Sequence, residues 1–235
     1  LEHSRTLAVV VAAGRSSRMG AALRKPFLTL QTKSVLRHAV EALAEAPSVK
    51  RIVVVVHPDD QQRAEEVLER PRRAPLLEAI LPGGEERIDS VRVGACYECP
   101  GIDRILVHDG ARPLVTPAEV ETVIQAARKH GAALLALPLF ETIKHSEDGQ
   151  FVERTLERSK MWRAQTPQVF EAVRFREILQ RAAQDGFRPT DDSALWEHYV
   201  GPVAIVPGLP TNLKLTQPED LFIAQALLRA REHKA

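Results

Sequence analysis

The 235-residue sequence predicts an α/β protein built on a doubly wound, mostly parallel sheet. Three observations carry that expectation. Short, wholly apolar runs rich in β-branched residues recur along the chain, as strands buried on both faces should. Stretches with apolar residues at helical spacing separate them. Strands and helices alternate, which is the signature of parallel crossover units whose helices cover both faces of the sheet. The chain shows no internal repeat, low-complexity tract or linker, so residues 1–235 read as one domain carrying a β-arm.

In order, Leu7 to Val11 is the first strand. Ser34 to Ala46 is a helix with Val35, Leu36, Ala39, Val40 and Leu43 on one face and Ser34 as its N-cap. Arg51 to Val56 is a second strand, and a polar helix from Asp60 to Glu69 is closed by Pro71 and Pro75. Leu76 to Leu81 is a third strand, followed by a helix over Arg87 to Cys96 that begins near Glu85. Arg104 to His108 is a fourth strand. Pro117 to His130 is a helix with Thr116 as N-cap, proline in its first turn and Gly131 as its stop. Ala132 to Leu137 is a fifth strand.

The alternation then breaks. Between Phe140 and Arg158 polar and apolar residues mix at short range around Asp148-Gly149, a hairpin turn signal. Strands this short are marginal alone. The segment, about 140–158, therefore reads either as an arm that leans on a second subunit or as a floppy surface hairpin. Trp162 to Phe170 returns to the sheet, and Glu171 to Gln184 is amphipathic. Asp191 to His198 is a shorter helix capped by Thr190, Val203 to Val206 a last buried strand, and Pro218 to Glu232 a C-terminal helix.

Composition narrows the function. Lys and Arg number 32 against 31 Asp and Glu, and the net charge of +1 argues against a general nucleic-acid binder. The apolar runs are too short to cross a bilayer and no signal peptide is expected, so no membrane association and a cytoplasmic location follow. Cys96 and Cys99 form a lone CxxC. Without a second pair they read as structural or incidental thiols rather than a redox pair or half a zinc site.

The first strand opens into Ala12, Ala13, Gly14, Arg15, Ser16, Ser17, Arg18 and Met19, with Lys25 beside Pro26. Small residues let backbone N–H groups approach an anion, and the cations stand beside them. Neither the Walker pattern nor the dinucleotide fingerprint is present. The loop reads as a phosphate cradle of another kind, or as an ordinary strand-to-helix turn with solvated arginines. Ligands of open α/β sheets sit beyond the carboxyl ends of the strands. That rule brings this loop, Gly83-Gly84, Asp109 to Arg112 and the segment around Lys214 to one rim. Gly83-Gly84 either meets the edge of a base, with Ser90 nearby, or is a plain tight turn. Asp109 is either a Mg²⁺ ligand among phosphates or the cap of its turn.

There is no GxSxG elbow, no HExxH and no obvious carboxylate pair, and His108 reads as packing or support rather than as a catalyst. These absences suit a reaction whose nucleophile is a phosphate monoester. Its second pKa is about 6, so it needs no general base. What it needs is fixed positive charge to hold two anions together and to stabilise the α-phosphate as charge builds there.

The sequence resembles the 2-C-methyl-D-erythritol 4-phosphate cytidylyltransferases of the non-mevalonate isoprenoid pathway. The likeness runs over AAGRSSRM with Lys25-Pro26, GGEERIDSVRVG from Gly83, VHDGARP from Val107, Thr142, ERSKMWRAQTPQVF from Glu157, Thr190-Asp191-Asp192 and NLKLTQPEDL from Asn212, in the family's order. It departs where many members carry glycine at Ser17, alanine at Gly110 and aspartate at Glu85. The resemblance implies a Rossmann-like nucleotidyltransferase fold and transfer of CMP from CTP to methylerythritol phosphate with Mg²⁺, or another divalent cation, held at Asp109. Ala12, Ala13, Gly14 and Arg15 would bind the triphosphate, with Arg18 and Lys25 stabilising charge at the α-phosphorus. Gly83, Gly84, Glu85 and Ser90 would recognise cytosine and ribose. Asp109 would lie at the metal–nucleotide–acceptor junction and Arg112 would help hold the acceptor. Arg158 and Lys214 would position it, and Thr166, Thr190 and Asp191 match as supporting or acceptor-side residues. Thr142 and Arg158 would reach the opposite subunit of a homodimer. Two other readings stand beside this one: the same chemistry on another polyol phosphate such as ribitol 5-phosphate, and a non-catalytic nucleotide-binding protein on the same scaffold.

Overall fold

The computed structural model describes residues 5–14, 24–69 and 76–232. The chain opens with β1 (Thr6–Ala12). A small ribbon of β2 (Thr29–Leu30) and β3 (Lys33–Ser34) then leads into α1 (Val35–Ala44). Next come β4 (Val49–Val56), α2 (Gln61–Glu69), β5 (Leu77–Pro82), α3 (Arg87–Ala95) and β6 (Arg104–Asp109). They are followed by α4 (Pro117–His130) and β7 (Ala132–Pro138). A hairpin of β8 (Lys144–His145) and β9 (Arg154–Thr155) precedes β10 (Trp162–Glu171). The chain closes with α5 (Ala172–Asp185), α6 (Asp192–Tyr199), β11 (Ala204–Pro207) and α7 (Glu219–Glu232).

The main sheet has seven strands in the order β11-β7-β10-β6-β1-β4-β5. The pairs among β1, β4, β5 and β6 are parallel, as is β11 with β7, while β10 runs antiparallel to both its neighbours. From β1 the chain builds outward through β4 to β5, then returns to place β6 on the other side of β1. That reversal opens a crevice at the carboxyl ends of β1 and β6. The register keeps those ends level: Val11 pairs with Asp109, Ala12 with Val56, and Val56 with Pro82.

Alternation along the central strands divides the core. Ala8, Val10, Ile52 and Val54 face α1 and α4, where Leu36, Val40, Val123 and Ile124 are fully buried. Leu7, Val9, Val53 and Val55 face α3, α5 and α6, meeting Val91, Phe175 and Leu195. Helix α3 lies so close to β1 that a Cβ on Gly94 would stand 2.3 Å from a Val9 methyl. A smaller cluster of Leu30, Val35, Leu114, Leu215 and Ala224 docks α7 beneath the β6 turn.

The expected caps at Ser34 and Thr116 are present, the latter as a reciprocal capping box with Glu119. Two expectations are corrected. Thr190 is exposed and does not cap α6; the cap is Asp191, whose carboxylate accepts from the Ala194 N–H at 2.9 Å. An aspartate is the stronger acceptor at that position. The strand over Val203 to Val206 is not buried: β11 lies at the sheet edge, with Ile205 46% exposed and only Val206 inside. The prolines expected to close α2 lie outside the described residues. No helix among the described residues is long and apolar enough to cross a membrane.

Candidate active site

A cleft of about 900 Å³, within the range of small-ligand sites, lies over the crevice at the carboxyl ends of β1, β4, β5 and β6. Ala12, Ala13 and Gly14 form one wall and Gly83, Gly84, Glu85 and Ser90 another. Lys25, Asp109 and Lys214 line the space between them. Arg15 and Arg18 lie outside the described residues.

The glycine wall is there because nothing larger fits. A Cβ on Gly83 would stand 2.5 Å from the Ala13 Cβ and 2.6 Å from the Ser90 hydroxyl. The Gly83 N–H donates to the Val56 carbonyl at 2.7 Å, which ties this turn to the end of β4. Ser90 is reached one turn into α3, which starts from a capping box between Glu86 and Asp89.

Asp109 ends β6 and holds the centre. Its Oδ2 lies 2.9 Å from Lys214 Nζ and 3.4 Å from Arg112 Nε, and its Oδ1 lies 3.5 Å from Arg87 Nη2. Burial works to raise its carboxyl, but the charges of Arg87, Lys214 and Arg112 outweigh burial and hold it well below the ordinary carboxylate range. It is therefore an anion throughout the neutral range. Arg112 is buried behind it and donates to the Asn212 carbonyl at 2.8 Å. Burial draws the Arg112 guanidinium below its usual value, against the pull of Asp109.

Beneath Asp109 sits a buried polar relay. His108 Nε2 lies 3.1 Å from the Arg112 carbonyl, and Nδ1 lies 3.1 Å from the Thr166 hydroxyl. Complete burial pushes His108 down to about 4, so it is neutral. A carbonyl only accepts, which assigns the proton to Nε2 and leaves Nδ1 to accept from Thr166. The Thr166 oxygen in turn accepts the Asp109 N–H at 3.0 Å. His108 and Thr166 thus fix the backbone of Asp109 and do not face the cleft.

Sequence reasoning missed Arg87 and Asp192. Arg87 also lines the cleft, and its guanidinium grips Asp192 at 2.8 and 2.9 Å while its edge reaches Asp109. Burial alone would lower Arg87, but Asp192 and then Asp109 raise it above its usual value, so it is permanently charged. A signal existed: a cation in the first turn of a helix opposes the helix dipole and calls for a partner. Asp192 escaped because it was visible only as part of a three-residue polar run.

The remaining candidates are elsewhere. Asp191 is engaged by Gln168 at 2.9 Å and by the α6 N-terminus, so its carboxylate is structural. Thr190 is exposed and does not line the cleft. Thr142 and Arg158 sit on the exposed hairpin segment, where Arg158 Nη1 donates to the Phe140 carbonyl at 2.6 Å. Neither borders the cleft of its own chain.

Comparison with known proteins gives a consistent result. The family model described as 2-C-methyl-D-erythritol 4-phosphate cytidylyltransferase matches residues 6–230. A protein of that name from Desulforamulus reducens is 40% identical over 225 residues, covering 96% of each chain. One from Pelotomaculum thermopropionicum is 41% identical, covering 96% of this chain and 94% of its own. Among solved structures, the 4-diphosphocytidyl-2C-methyl-D-erythritol synthase of Anaerococcus prevotii aligns with a TM-score of 0.83 at 27% identity, covering 96% of both chains. The Thermus thermophilus cytidylyltransferase aligns at 0.76 with 28% identity, covering 97% of this chain and all of its own.

Proposed function

The chain belongs to the 2-C-methyl-D-erythritol 4-phosphate cytidylyltransferase family, and from that premise we propose how its residues divide the work. It is a nucleotidyltransferase of isoprenoid precursor synthesis. CMP passes from CTP to 2-C-methyl-D-erythritol 4-phosphate, giving 4-diphosphocytidyl-2-C-methyl-D-erythritol and pyrophosphate. One observation carries the assignment of roles: Lys25, Lys214 and the two backbone walls border one cleft whose centre is held by Asp109, a carboxylate kept ionised by its neighbouring cations.

A phosphate oxygen of the acceptor attacks the α-phosphorus, a P–O bond forms, and the bond to the β-phosphate breaks so that pyrophosphate leaves with the electron pair. No proton has to be abstracted, because the attacking phosphate is already largely dianionic at neutral pH. Ala12 to Arg15 cradle the triphosphate, and Gly83, Gly84, Glu85 and Ser90 read cytosine and ribose. Arg18 and Lys25 stabilise charge on the α-phosphate, and Lys214 holds the acceptor. Arg112, expected from the sequence to hold it too, is buried outside the cleft lining and acts through Asp109 and the Asn212 carbonyl. Thr166 and Asp191 act through the residues they fix, Asp109 and the start of α6.

Asp109 fits a divalent cation. No group of three or more His, Cys, Asp or Glu gathers among the described residues. One ionised carboxylate whose Oδ1 meets only a long arginine contact suits Mg²⁺, which takes its other ligands from phosphate oxygens and water. Bound there, the ion would neutralise phosphate charge at the junction of nucleotide and acceptor. The hairpin, with Thr142 and Arg158, serves the acceptor side of a partner subunit in a cytoplasmic homodimer. Support for that comes from Phe140 and Phe151, 74% and 73% exposed on a segment whose strands pair only with each other.

The test is pyrophosphate release from CTP with methylerythritol phosphate and ribitol 5-phosphate in competition. Preference for methylerythritol phosphate is expected. Preference for ribitol phosphate would move the assignment to another polyol, and CTP binding without product would revive a purely binding role.

A further inference from the structure

Lys25 and Lys214 come to the cleft from opposite ends of the chain, yet one short run, residues 212–220, seats both. Lys25 Nζ donates to the Thr216 carbonyl at 2.9 Å across 191 positions of sequence. Lys214 reaches Asp109, and the Leu215 N–H donates to the Ala111 carbonyl at 2.9 Å. The near end of the run is held by Arg112 through the Asn212 carbonyl.

The far end is held by Asp220, in the first turn of α7. A single oxygen, Oδ2, accepts the Thr216 N–H at 2.6 Å, the Thr216 hydroxyl at 2.9 Å and the Gln217 N–H at 2.8 Å. The peptide joining Thr216 to Gln217 is planar and trans, so its N–H and C=O point in opposite directions. By drawing the Gln217 N–H toward itself, Asp220 turns the Thr216 carbonyl away, onto the Lys25 ammonium. Burial works to raise the Asp220 carboxyl. The Gln217 and Thr216 donors and the Lys25 charge outweigh it and leave the group below the ordinary carboxylate range.

We propose that Asp220 is a positioning residue for the transfer reaction. Through the Thr216–Gln217 peptide it orients the carbonyl that holds Lys25, and it pins the run that carries Lys214. This rests on the roles given above to the two lysines. A plain capping role would have a different outcome, since α7 buries only Ala224 and its fraying would cost stability rather than turnover.

The experiment compares Asp220→Ala, Asp220→Asn and Lys25→Ala in steady-state kinetics, CTP calorimetry and thermal melting. Asp220→Ala is expected to lower kcat about 30-fold while the CTP dissociation constant stays within about threefold. Asp220→Asn, which can offer an oxygen to the same donors, is expected to keep kcat within about fivefold. A kcat for Asp220→Ala within about twofold of wild type, or a loss confined to melting temperature, overturns the proposal. Should that variant fail to fold, Asp220→Glu carries its oxygen one methylene farther and is expected to lose about tenfold in kcat. A wild-type kcat there overturns the proposal equally. An unimpaired Lys25→Ala would overturn the role of Lys25 itself. An impaired Lys25→Ala beside an unimpaired Asp220→Ala overturns the role of Asp220 alone.

Discussion

The cleft and the hairpin handle exposed chemistry in opposite ways. In the cleft the charged groups at the centre find partners in their own chain: Asp109 is shared by three cations, and Arg87 bridges it to Asp192. Backbone there is pinned by short bonds from the β6 turn, the Gly83 turn and the 212–220 run. The hairpin has two strands of two residues each, ion pairs open to water, and Phe140, Phe151 and Val152 largely uncovered. The contrast separates a region whose charged groups are satisfied within one chain from one whose apolar side chains stay uncovered. On the proposed dimer, lesions in the first are expected to act within a subunit and lesions in the second between subunits.

The largest effect belongs to the cleft. Lys214→Ala removes a fixed charge beside Asp109 in the cleft and, on the role proposed for it, is expected to lower kcat several hundredfold, about the cost of one preorganised donor. CTP binding measured by calorimetry is expected to weaken by less than about tenfold. A variant with near-normal turnover would mean that the convergence on Asp109 serves folding and not chemistry.

Next is the ion pair behind it. Asp192→Ala strips Arg87 of its bidentate partner and is expected to cost about 2 kcal/mol in urea unfolding, less than a fully buried pair would because the Arg87 side chain is 31% exposed. Glu157→Ala breaks the hairpin pair with Lys160, whose side chains are 62% and 73% exposed, and is expected to leave the unfolding midpoint where it was. Equal shifts in both variants would erase the distinction between the two regions.

The relay under Asp109 gives a pH signature. His108 is held down to about 4 from an unfolded value of 6.5, so the unfolded chain binds the extra proton first as pH falls. Its contribution is therefore fully present above 6.5 and is lost on the way down toward 4. Between pH 7 and pH 5, without nucleotide or metal, this group alone is expected to remove about 2 kcal/mol. His108→Gln is expected to start from a lower stability and to show a shallower slope. A slope unchanged by the substitution would place the titration elsewhere.

How much of this was legible follows the same divide. Strands β1, β4, β5, β6 and β7 and their helices could be read because apolar period and caps are local signals: Ser34 and Thr116 announce their helices by residue type. The two-residue strands β2 and β3 carry no such period and were not expected. That Ala12 to Gly14 and the Gly83 turn come to one cleft was legible for a related reason, since close backbone approach demands small residues. Arg87 and Asp192 were not, because 105 positions of sequence separate them and only the packing of α3 and α6 on the same face of the sheet brings them together. Thr190 was mistaken for a cap because two adjacent residues both suit the position, and only the geometry chooses Asp191. The edge position of β11 was hidden as well, for an apolar run does not say how many neighbours it has.

The smallest effect tests the hairpin, and its design uses the cleft as a control. Arg158→Ala is expected to raise the KM for the acceptor about tenfold while the KM for CTP stays unchanged, since Arg158 lies outside its own cleft. If Arg158 serves the partner, mixing this variant with Lys25→Ala creates hybrids in which one site has an intact cleft from one chain and an intact hairpin from the other. With random exchange about half the dimers are hybrids with one good site of two, so about a quarter of wild-type activity returns at low acceptor. If Arg158 instead serves its own chain, every site in the mixture carries one lesion or the other. Activity then stays at the average of the two parents, about a twentieth of wild type. Dilution separates the cases again: recovery that fades as the mixture is diluted belongs to an assembly, because a contribution supplied between subunits is lost when they part.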